Sequence, residues 1–285
     1  MQIKTILLHL TRRQAASQLL DTACALAGHH GAHLIGMAAF SATPPVPPLA
    51  IPYSSTVIDE MLQAARQAED ALKQVFDEHT REAPFVAEWV HVSGLTGDLV
   101  GAVMDQGRAA DLIIAGQRDP DWELGPVLDF PERLALESGR PVLLVPRRGP
   151  PLQQIEKVAI AWNGARESTR AAFDALPLLT AAKEVVILTV TDKGEPFKEG
   201  TPAAALAATL ARHEINTTVN HLCQSDESIA KTLIDAANAI DADLLVMGAY
   251  GHSRFREFVF GGVTRDMTND SSIPRLGSHG CIWGK

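Results

Sequence analysis

Four short runs of aliphatic and β-branched residues punctuate the chain, at Ile3–Leu10, Leu112–Ala115, Val185–Val190 and Leu244–Met247. Each is bounded by polar or helix-breaking residues and reads as a buried strand. Alanine-rich stretches lie between them and read as helices, at Gln14–Ala27, Val57–His79, Thr169–Leu179 and Ala203–His213. Strands that are apolar on both faces need cover on both faces. Parallel neighbours also need a crossover, which is usually a helix. The pattern therefore predicts an α/β protein built on a parallel sheet.

The chain is self-similar. DLIIAG at 111–116 resembles DLLVMG at 243–248, and KTILLHL at 4–10 aligns with KVAIAWN at 157–163. Arg140-Pro141-Val142 has a counterpart in Ile273-Pro274-Arg275. The first alignment is offset by 132 residues and the second by 153, so the first half carries an insertion of about 21 residues. The Pro-rich Ser41–Tyr53 is its natural site, because proline cannot occupy a helix interior. PRRGPP at 146–151 reads as the linker, which gives domains over 1–147 and 153–285. Arg275 and Gly277 interrupt the last apolar run, so only a short strand around Ile273–Leu276 is expected, followed by an irregular tail.

Composition narrows the function classes. With 285 residues, 46% hydrophobic and 21% charged, the chain is ordinary globular material. Its net charge of −9 argues against sequence-independent nucleic-acid binding, which needs a basic face. The three cysteines, Cys24, Cys223 and Cys281, are far apart and form no CxxC pair, which fits a reducing compartment and a cytoplasmic protein. The apolar runs are too short to span a bilayer.

The strongest chemical signal follows the predicted strand at 244–247. Gly248 and Gly251 open a glycine turn, and Gly261, Gly262, Val263 and Thr264 precede a further helical stretch. Glycines let a backbone approach a ligand closely, and free N–H groups at a helix start favour a phosphate. Arg254 can reach a phosphate oxygen, and Thr264 can add a hydroxyl. The spacing is neither a P-loop nor a dinucleotide fingerprint.

Gly-x2-Gly-x9-Gly followed by a hydroxyl residue resembles the nucleotide-binding signature of universal stress proteins. Residues 161–170 and 242–251 resemble the family's first strand-to-helix turn and its fourth strand with glycine turn. The resemblance covers the chain as two tandem domains. It implies an open, mostly parallel five-stranded sheet per domain, flanked by helices in the adenine nucleotide alpha hydrolase-like manner. It also implies intrachain pairing of the two domains, with a homodimer as a further option. ATP or AMP, with or without Mg2+, is the implied ligand. The implied contact set is Asn163, Gly164, Val190, Gly248, Gly251, His252, Arg254, Gly261, Gly262, Val263 and Thr264. Two residues depart from the pattern: Asn163 stands where binding members carry Asp, and Gly262 stands where they carry Ser or Thr. In the first half Leu10 takes the Asp position, and Gln117-Arg118-Asp119-Pro120 replaces the glycine turn, so that half reads as a degenerate copy.

Other residues have simpler readings. His29, His30 and His33 surround Gly31, which suits a left-handed helix stop better than a metal site. His91, Ser93 and Asp98 can be imagined as a catalytic set, but helix capping by Ser93 or Thr96 is the plainer account. Cys24 lies on an alanine-rich helix and reads as core, as does Trp162 at a strand end. Asp119, Asp121, Glu123 and Asp129 read as a solvated loop, and Phe255, Phe258 and Phe260 as cover for a helix face or as an interdomain contact. No residue stands out as a base or metal ligand for phosphoryl transfer, so at most slow ATP hydrolysis is expected. Three functions remain: a stress-response regulatory protein modulated by an adenine nucleotide in its second domain, a nucleotide-free interaction protein, and a small-molecule enzyme using the interdomain cleft.

Overall fold

The computed structural model describes residues 2–40, 55–92, 98–117, 130–191, 202–224, 228–248 and 273–278. Contacts divide the chain into two compact units, Ile3–Arg140 and Pro141–Lys285.

The first unit alternates strand and helix: β1 (Thr5–His9), α1 (Arg13–His30), β2 (His33–Ala38), α2 (Ser55–Thr80), β3 (Ala87–His91), α3 (Leu99–Gly107), β4 (Leu112–Gly116) and α4 (Phe130–Glu137). Its strands lie in the order β3-β2-β1-β4, and β1 runs parallel to both β2 and β4. Ile6, Leu7 and Leu8 are fully buried, as expected for a strand covered on both faces. Helix α1 runs one turn past Ala27 and stops at Gly31, whose φ of 59° is the left-handed stop expected from the sequence.

The second unit contains β5 (Val142–Val145), β6 (Lys157–Ala161), α5 (Arg166–Asp174), α6 (Leu176–Leu179), β7 (Glu184–Thr191), α7 (Pro202–Ala211), β8 (Thr217–Cys223), α8 (Ile229–Ala239), β9 (Leu244–Gly248) and β10 (Arg275–Ser278). Its strand order is β5-β10-β9-β6-β7-β8. The helix expected over Thr169–Leu179 is two helices, because Pro177 cannot donate in a continuous ladder. Strand β5 packs with the second unit and runs antiparallel to β10, with Leu143 opposite Leu276. The compact units therefore part at Arg140, seven residues before the first domain's boundary in the sequence reading.

Strand β10 lies two residues beyond the stretch expected from hydropathy. Ile273 packs instead with Leu233, Ala237 and Leu245, while Arg275 and Gly277 sit inside the strand and are buried. Pairing with β5 on one side and β9 on the other supplies the backbone partners that the apolar pattern alone did not reveal.

The two units also correct the internal alignment. In the first, the N–H groups of Lys4 and Thr5 donate to Asp111 Oδ2 at 2.8 and 3.0 Å. In the second, those of Glu156 and Lys157 donate to Asp243 Oδ2 at 2.9 and 2.8 Å. Thr5 thus corresponds to Lys157, an offset of 152 rather than 153. The residue equivalent to Asn163 is Thr11, not Leu10, and the inferred insertion shortens by one. Ser41–Tyr53 itself lies outside the described residues.

Candidate functional site

In the second unit the chain runs outward from β6 through β7 to β8, then returns to the other side of β6 as β9 and β10. The order reverses between β6 and β9. In open α/β sheets, the crevice beyond the carboxyl ends of the strands at such a point is the usual ligand position. Asn163 and Gly164 follow β6 there, and Gly248 ends β9.

Gly248 is constrained by backbone rather than by a side chain. A Cβ at this position would come within 2.6 Å of the Glu167 carbonyl carbon and the Ser168 nitrogen. Only glycine lets the first turn of α5 seat against the end of β9. Gly164 has φ of 74°, and a Cβ there would meet Pro202 at 3.2 Å. These two glycines bring the starts of α5 and α7 to the strand ends.

Asn163 holds the turn between them. Its Oδ1 accepts the Ala165 N–H at 3.0 Å and the Ser168 hydroxyl at 2.8 Å. This is an Asx turn that leads into α5. The acceptor half of the amide is occupied, and the exposed side chain presents Nδ2 as donor. Beside it, Trp162 donates its backbone N–H to Leu188 O at 2.8 Å, and its ring is half-buried. Val190 is half-buried and packs with Ala161 against the apolar cluster containing Leu188 and Leu233. Glu167 is buried and pairs with Arg166 at 3.1 Å.

The described part of the site thus joins Asn163, Gly164 and Gly248 through the first turn of α5. Gly251, His252, Arg254, Gly261, Gly262, Val263 and Thr264 lie outside the described residues, as do Phe255, Phe258, Phe260 and the acidic group from Asp119 to Asp129. A cavity of about 320 Å³ lined by Pro151, Gln153, Asp243 and Pro274 lies at the other, amino end of β9.

The imagined catalytic set resolves differently. Asp98 caps α3 by accepting the Gly101 N–H at 3.1 Å and meets Arg133 at 3.5 Å. His91 instead faces Glu69, with Nδ1 at 2.6 Å from Oε1, the oxygen that also accepts the Trp89 indole N–H at 3.3 Å. The sequence reading missed this pairing. Glu69 continues the apolar face of α2 between Ala65 and Leu72, so its helix position was the available signal. Ser93 and Thr96 lie outside the described residues. His33 faces Glu88 at 3.6 Å, while His29 and His30 meet edge to face. Cys24 is half-buried rather than part of the core; burial, then the charge of Asp21, pushes its thiol up to about 11, which suits an unreactive cysteine.

Residues 154–276 match the universal stress protein family. Universal stress protein Slr1230 of Synechocystis sp. is 31% identical over 196 residues, a stretch covering 66% of this chain and 65% of that relative. The second unit therefore carries a universal stress protein family domain. A universal stress protein from Archaeoglobus fulgidus superposes with a TM-score of 0.75 at 17% identity, covering 98% of this chain and 97% of that one. The PA1789 protein of Pseudomonas aeruginosa, of unknown function, superposes with a TM-score of 0.53 at 14% identity, over 97% and 92% of the two chains. Both structures speak for the fold alone. The chain has the expected mostly parallel α/β sheet flanked by helices, the fold that the Archaeoglobus fulgidus structure shares. Among the described residues, no helix is long and apolar enough to cross a membrane.

Proposed function

We propose that this protein serves in a stress response by binding an adenine nucleotide, ATP or AMP, in its second unit, and that the nucleotide modulates its interactions with other proteins. The observation that supports this reading best is Gly248, held within backbone contact of α5 at the strand-order reversal. The family match supports the stress-response role. The glycine and hydroxyl pattern from Gly251 to Thr264 supplies the phosphate-binding residue types, with Mg2+ as an accompanying ion rather than a protein-held one.

Calorimetry with ATP and AMP tests the reading, together with mass spectrometry of ligand copurified from native protein. Gly251→Val is expected to abolish binding, because a β-branched residue resists positive φ and projects into the phosphate path. Unchanged affinity in that variant refutes the site. One observation favours a second reading, the nucleotide-free interaction protein. The Asn163 acceptor is already occupied by Ala165 and Ser168, so this position offers a ligand no charge and no free carbonyl. Absence of any copurified or titrated nucleotide decides for that alternative.

A further inference from the structure

Two described strands have a strand neighbour on one side only, β3 in the first unit and β8 in the second. These two edges are built differently. Strand β3 is five residues long and carries Glu88, whose half-exposed carboxylate faces His33. A charge on an edge strand opposes pairing with another chain. Strand β8 is seven residues long, reads TTVNHLC over Thr217–Cys223, and contains no Asp, Glu, Lys, Arg or Pro. Thr218, Asn220, His221 and Cys223 are exposed, so the strand is open to solvent rather than covered by a helix.

The backbone of β8 has a defined outward set. The Val185 N–H donates to Asn216 O at 3.2 Å, and the Gln224 N–H donates to Thr191 O at 2.9 Å. In a parallel ladder alternate residues turn both backbone groups toward the neighbouring strand. With β7 and β8 parallel and in this register, Thr218, Asn220 and Leu222 face β7. Thr217, Val219 and Cys223 therefore turn their N–H and C=O groups away from it.

We propose that β8 pairs antiparallel with β8 of a second copy of this chain, across a twofold axis. Each outward residue offers one donor and one acceptor, so the edge is complementary to itself when reversed. Pairing β8 with β3 of another copy would bring Glu88 to the ladder and leave a free edge at each end, an open chain rather than a closed dimer. The chain carries a net charge of −9, so two copies repel unless they meet along an uncharged strip, and β8 supplies one. Strands β5 and β10 already pair antiparallel with each other and offer no such edge. The inference stands independently of the nucleotide reading.

Sedimentation equilibrium and amide hydrogen exchange by NMR test it together, at low and high micromolar concentration. The wild type is expected to move from the 30.6 kDa mass of one chain to twice that mass as concentration rises. Over the same range the Thr217, Val219 and Cys223 amides should become at least about tenfold slower to exchange, while the Thr218, Asn220 and Leu222 amides, held by β7, should not change. Thr218→Lys with Asn220→Lys places charges on two exposed edge positions and should keep the protein monomeric at both concentrations. A wild type that stays monomeric overturns the proposal. So does a dimer in which the three outward amides exchange no more slowly, or a dimer that the folded lysine variant still forms. If the lysine variant loses its circular dichroism spectrum, the wild-type exchange pattern decides alone.

Discussion

Arg275 is the residue whose replacement tests the energetics of the second unit most directly. It lies within β10, opposite Leu144 on one side and Leu245 on the other, and is 4% exposed. Its Nε and Nη2 are buried with no hydrogen-bond partner. Desolvation alone pushes the guanidinium down to about 10 from its usual value above 12. At about 1.4 kcal/mol per pKa unit, this corresponds to roughly 3 kcal/mol of destabilisation. Two buried donors left without acceptors, at about 1–3 kcal/mol each, give the same order. Because the folded state holds the proton less tightly than the unfolded chain, the penalty is fully present below about pH 10 and lifts only as pH rises past that value. Arg275→Met removes the charge and keeps the length. After an allowance of about 1 kcal/mol for imperfect packing, the variant should be more stable at neutral pH by about 2 kcal/mol, and its melting temperature should rise by several degrees. Urea melts of the wild type, Arg275→Met and Arg275→Lys measure this, with the lysine variant expected to show no gain. A methionine variant less stable than the wild type refutes the reasoning, because it means the guanidinium is compensated in solution.

The paired glycines at the ends of β4 and β9 should respond to alanine to very different extents. Gly248→Ala drives a Cβ into the backbone of Glu167 and Ser168 and should cost about 2 kcal/mol or more. The nearest atom to a Cβ at Gly116 is Leu19 Cδ1 at 3.6 Å, so Gly116→Ala should change stability by less than about 1 kcal/mol. Equal losses in denaturant melts would show that the close approach at Gly248 is wrong. Asn163→Ala removes the acceptor that holds the entry to α5 and should destabilise by about 1 kcal/mol, while Asn163→Asp keeps the acceptor and the stability. An alanine variant as stable as the wild type would mean that the turn is held by other bonds.

Much of the architecture was legible in short-range pattern. Burial on both faces requires uninterrupted apolar runs, so β1, β4, β7 and β9 declared themselves. Gly31 announced the end of α1 because a left-handed stop favours glycine. Gly248 and Asn163 stood out by residue type and by their position after a strand. The roles of these residues were not legible. Whether Asn163 faces a ligand or caps a helix depends on where the Ala165 N–H and the Ser168 hydroxyl lie, and that depends on how α5 leaves β6. The offset between the repeats was ambiguous by one residue, since sliding one apolar run along another changes little in composition but moves every side chain to the opposite face. The Asp111 and Asp243 staples decide it, through contacts about a hundred residues apart in sequence. Arg275 and Gly277 looked like the end of a strand because hydropathy measures side chains, whereas the pairing of β10 with β5 and β9 is made by backbone groups that every residue carries. Sequence determines which segments must be buried. Only the tertiary structure decides which backbone and which side chain each buried residue meets, because those partners come from distant parts of the chain.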